Sequence, residues 1–100
     1  MKRLTVTFKI GAEGATPLTA TGRDAWALLE LYNAGRRGCT PIDNPGPRWS
    51  AYVHNLRKLG VGILTLHEGH NGPFPGNHAR YVLQSPIRLL TITGGERTAA

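Results

Sequence analysis

The sequence predicts an α+β domain, built from two to three helices, a β-hairpin and short terminal strands. Three observations lead there: an alternating apolar run at residues 4–10, two helical stripes separated by a proline-rich turn, and strand-like runs after the second stripe. One hundred residues make one domain, expected over 1–93 with a core at 21–84 and a frayed tail at 94–100.

In residues 4–10, Leu4, Val6, Phe8 and Ile10 alternate with Thr5, Thr7 and Lys9, the period of a half-buried strand. Residues 11–20 carry turn formers and read as a loop with at most a short extended piece. Thr21 is placed as the N-cap of a helix, with Asp24 at the positive end of its dipole. Trp26, Leu28, Leu29, Leu31 and Tyr32 follow at helical spacing, and Gly35 ends the helix. Pro41-Ile42-Asp43 allows a single helical turn, because Asn44-Pro45-Gly46-Pro47 forbids more. Pro47 suits the first turn of the next helix, whose stripe is Trp49, Tyr52, Val53, Leu56 and Leu59, closed by Gly60. Strands are expected over 61–67, 79–84 and 87–93, with a long loop at 68–78. The run at 87–93 alternates and lacks a partner, as does 4–10, so the two are expected to pair.

Charge narrows the function. Lys and Arg total 12 against 6 Asp and Glu, a net charge of +6. Nine of those cations are Arg, the side chain suited to planar recognition of phosphates and guanine edges. Arg36, Arg37, Arg48, Arg57 and Lys58 stand against Asp43 alone between residues 36 and 60, a local excess that favours a polyanionic partner. No apolar run approaches the roughly 18–20 residues of a membrane span, and the N-terminus alternates where a signal peptide would be continuously apolar. Cys39 is the single cysteine, so no intrachain disulfide forms and a reducing cytoplasm is the expected location.

The stretch Pro41-Ile-Asp-Asn-Pro-Gly-Pro-Arg-Trp-Ser-Ala-Tyr-Val-His-Asn-Leu-Arg-Lys-Leu-Gly60 resembles the core of small bacterial and phage winged helix-turn-helix domains. The resemblance continues through Ile63, Thr65, Glu68 and Gly76-Asn-His-Ala-Arg-Tyr-Val-Leu83, and covers residues 21–84. It implies a second helix that enters the DNA major groove and a hairpin wing beside it, in a small transcriptional regulator or phage-derived accessory protein. Many members of that superfamily bind proteins instead, so the alternative is an interaction module whose basic face meets an acidic partner. The proline turn shortens the middle helix, and residues 1–12 and 86–94 add strands to the minimal fold.

Stepping about 100° per residue from Trp49, the side opposite the apolar stripe carries Ala51, His54 and Lys58. Arg48 and Asn55 flank it on one side, Ser50 and Arg57 on the other. Asn pairs with adenine and Arg with guanine, while Lys and Ser suit phosphates. Arg48 and Asn55 are therefore expected at base edges, Arg57 and Lys58 at phosphates. Arg36 and Arg37 add charge, and Arg80 and His78 on the wing complete the candidate DNA contacts. The ordinary alternative for the helix is a solvated polar face; for Arg80 it is an ion pair with Glu68. Tyr81 reads as core, and Phe74 as a loop anchor. Trp26 and Trp49 are expected to meet in the core.

Catalysis finds no frame. Cys39 could act with His54 and Asp43, but no nucleophile elbow or phosphate loop surrounds them, and the sequence offers no close carboxylate pair. His67, Glu68, His70 and His78 match no standard metal-ligand spacing. The expectation is a non-enzyme with no cofactor, no metal and no membrane partner; a homodimer is compatible with the small size.

Overall fold

The computed structural model describes residues 3–11, 14–45, 48–70 and 76–94. The expectations for Pro47, Phe74, the tail beyond Gly94 and the side chain of His70 fall outside what is described.

Strand β1 (Thr5–Ile10) buries Val6 and Phe8, following the alternation of the sequence. Leu18–Thr21 is a strand, β2, and not merely loop: it pairs antiparallel with β1, from Thr5 opposite Thr21 to Phe8 opposite Leu18. Helix α1 (Gly22–Ala34) leaves β2 directly. Thr21 is extended and its side chain caps nothing. The first helical N–H, on Gly22, is spent on the carbonyl of Leu4 at 2.8 Å, so the sheet does the work assigned to the threonine.

A 3₁₀ turn at Gly35–Arg37 leads to Gly38, where φ is +71° and an added Cβ would stand 2.5 Å from the Tyr81 carbonyl oxygen. Only glycine fits that approach. It lets Cys39 exchange two 2.8 Å backbone hydrogen bonds with Tyr81. Residues 41–44 form one turn, held by the Asn44 N–H on the Thr40 carbonyl and the Asp43 N–H on the Thr40 hydroxyl. No helix longer than that turn stands between α1 and α2 among the described residues.

Helix α2 (Trp49–Lys58) buries Trp49, Tyr52, Val53 and Leu56. Strands β3 (Ile63–His70) and β4 (Gly76–Leu83) form an antiparallel hairpin, longer at its tip than the sequence predicts. Strand β5 (Ile87–Thr93) pairs with β1, as the two alternating runs suggest, with a bulge opposite Thr7 and Phe8. The sheets are therefore β2-β1-β5 and β3-β4. The core lies between α1, α2 and these sheets, with Phe8, Leu28, Leu31, Leu56 and Val61 fully enclosed.

An aromatic cluster joins the helices to the wing. Trp26 and Trp49 meet at 5.4 Å between ring centroids, and Trp49 stacks on the buried Tyr81 at 5.9 Å and 18°. The Trp49 indole N–H donates to the Asn44 carbonyl at 2.6 Å, which pins the start of α2 to the preceding turn.

Candidate functional site

The surface of α2 is where the expected contacts gather. Ser50, His54, Arg57 and Lys58 are exposed, and so is Arg48 at the helix start. Ala51 and Asn55 are half-buried. The open arc is thus rotated away from α1 and toward the wing, relative to the side directly opposite the apolar stripe. The cause is a contact that no local pattern announces: the Asn55 amide donates to the Asp24 carboxylate at 3.2 Å, tying α2 to the first turn of α1 across 31 positions of sequence. The donor expected at an adenine edge is engaged inside the domain.

Arg57 is also partly engaged. Its Nη2 donates to the Ile63 carbonyl at 2.6 Å and to the Thr65 hydroxyl at 2.9 Å, fastening the end of α2 to β3. Five N–H donors on one guanidinium leave others for an outside anion. Arg48, His54 and Lys58 have no side-chain partner among the described residues. No acidic residue lies on α2.

Three of the acidic side chains around this face, Asp24, Glu30 and Glu68, are engaged. Asp24 accepts from Asn55, and Glu30 accepts from the Asn44 amide at 3.0 Å. On the wing, Glu68 accepts from Arg80 Nε at 2.5 Å and pairs with His78 Nε2 at 3.1 Å. The Arg80 hydrogen bond, with His78 helping, holds the Glu68 carboxyl below the usual carboxylate range. Arg80 Nη1 also donates to the Arg37 carbonyl at 2.7 Å. Arg80 therefore bridges the wing to the 3₁₀ turn, and the ion pair weighed against a phosphate contact is the arrangement present. Glu68 stands directly across from His78 and diagonally from Arg80 in the ladder, which explains why one carboxylate serves both. Arg36 and Arg37 project from the 3₁₀ turn with exposed side chains.

Cys39 is fully buried and its thiol is pushed up to about 11, first by burial and then by the nearby Glu30 charge. It stays protonated near neutrality, and His54 lies on the outward face of α2, so the two do not make a nucleophile and base. No group of three or more His, Cys, Asp or Glu is placed to hold a metal ion among the described residues. No described helix is long and apolar enough to cross a membrane.

Chemically, the arrangement offers an open cationic helix face beside a fastened hairpin, with Glu68 ion-paired on the wing and Asp24 and Glu30 hydrogen-bonded to side-chain amides. A family model described as a winged helix domain matches residues 17–93. No curated protein and no solved structure matches the chain.

Proposed function

The chain belongs to the winged helix domain family, and from that premise we propose that it binds double-stranded DNA, with α2 in the major groove and the β3–β4 hairpin against the adjacent backbone. The observation that carries this reading is the outward arc of α2: Arg48, Ser50, His54, Arg57 and Lys58 are all exposed on a helix without one acidic residue. Arg36 and Arg37 extend the same charge along the neighbouring turn. Lys58, Arg57, Arg36 and Arg37 neutralise phosphates; Arg48, Ser50 and His54 are the groups left to read base edges. Asn55 and Arg80 act indirectly, holding the helix and the wing in position. The role is regulatory or accessory binding, without catalysis.

The test is fluorescence anisotropy of a labelled mixed-sequence duplex at increasing salt. Four or so phosphate contacts give log-linear weakening with a slope of about −4. Absence of binding at low salt overturns the reading. The face would then belong to an acidic protein partner, and a pull-down against polyglutamate would retain the chain where the duplex does not.

A further inference from the structure

Sheet β2-β1-β5 is covered unevenly. Helix α1 packs on β2 and β1, whereas β5 carries no comparable helix contact. Its buried-side residues Ile87 and Leu89 reach the core, but Leu90 and Ile92 remain 41% and 51% exposed. The bulge opposite Phe8 adds Leu90 to the ladder as an extra residue. No strand pairs with the far side of β5 among the described residues, so alternate residues of this seven-residue strand present unused backbone donors and acceptors there. The other edge, β2, is four residues long and lies under α1.

We propose that β5 is a self-association edge: two copies of the chain join antiparallel, β5 against β5, making one six-stranded sheet and covering Leu90 and Ile92.

The occupant that fits is a second copy, because β5 is the edge at which two copies meet with least repulsion. A chain of net +6 repels itself over most of its surface, above all across α2. Within β5 the one charge is Arg88, at the start of the strand, followed by Leu89-Leu90-Thr91-Ile92-Thr93. A two-fold axis through an antiparallel edge sets the two Arg88 residues at opposite ends, each toward the threonines of the other copy. Like charges are therefore kept apart, and apolar side chains cluster at the middle. Pro86 marks where pairing stops on the Arg88 side. An acidic partner, in contrast, finds no concentration of positive charge on this strand. The inference does not depend on DNA binding.

Sedimentation equilibrium of the full chain, without DNA, tests it. The mass should rise with concentration from 10.8 kDa toward twice that value. The double variant Leu90→Lys/Ile92→Lys should remain at one chain mass. A matched pair on the wing, Leu64→Lys/Leu66→Lys, replaces residues of similar exposure and should leave the dimer intact. A wild-type mass of one chain at every concentration overturns the proposal, as does a dimer that survives the β5 variant or is lost equally in the wing variant. If the β5 variant unfolds by circular dichroism, hydrogen exchange of the wild type decides. Protection of β5 amides must then increase with protein concentration, and protection independent of concentration overturns the proposal.

Discussion

Asn55 is an example of how one contact changes a residue's role. Its position on the helix wheel makes it a candidate base reader, yet its amide is bonded to Asp24. Replacing it by Ala removes that bond, about 1 kcal/mol, and gains roughly 0.5 kcal/mol of helix propensity. The variant should therefore lose only about 0.5 kcal/mol in urea unfolding, with little change in preference among duplexes. Cys39 gives a sharper pH signature. Its folded pKa of about 11 stands above the ordinary 9.0, so burial of the neutral thiol stabilises the fold fully below pH 9. That contribution is lost as pH rises through 11, when the folded state must accept a thiolate. Cys39→Ala should flatten this part of the stability profile relative to the parent, measured as the difference in thermal midpoint between pH 8 and about pH 10.5.

Elements were legible in proportion to how much of their stability is local. The stripe Trp49, Tyr52, Val53, Leu56 marks α2 because each member is buried on one side at helical spacing. β2 was legible only as a short extended piece within a loop: Leu18–Thr21 is too short to show alternation and becomes a strand through its ladder with β1. The hairpin tip was missed for a related reason. Glu68, Gly69, His78 and Asn77 are poor strand formers alone, and the pairing of Glu68 with His78 and Arg80 carries the ladder outward. Of the candidate site, exposure of Arg48, Ser50, His54, Arg57 and Lys58 followed from the helix wheel. The engagement of Asn55 and Arg80 depends on long-range partners and does not. The aromatic cluster between α1, α2 and β4 supplies the matching prediction at this scale. Trp49→Phe keeps a ring against Tyr81 but leaves the Asn44 carbonyl without its indole donor, and should cost about 1–2 kcal/mol. Trp49→Ala also empties the stack and should cost about 3–5 kcal/mol in the same unfolding titration.

For the whole molecule, the arrangement separates two surfaces. One side presents the cationic arc of α2 and the fastened wing, and the three-stranded sheet lies behind α1 with β5 at its edge. If the cationic side binds DNA as proposed, phosphate charge dominates, so Lys58→Ala should weaken every duplex by a similar factor and reduce the salt slope by about one unit. Its thermal midpoint should not move, because Lys58 makes no side-chain bond among the described residues. The most direct measurement of the central claim is an amide NMR titration with a short duplex at low salt. The largest shifts should fall on Ser50, His54, Arg57 and Lys58, with smaller ones along β3 and β4. Shifts confined to the β2-β1-β5 sheet, or a spectrum unchanged by excess duplex, would contradict it.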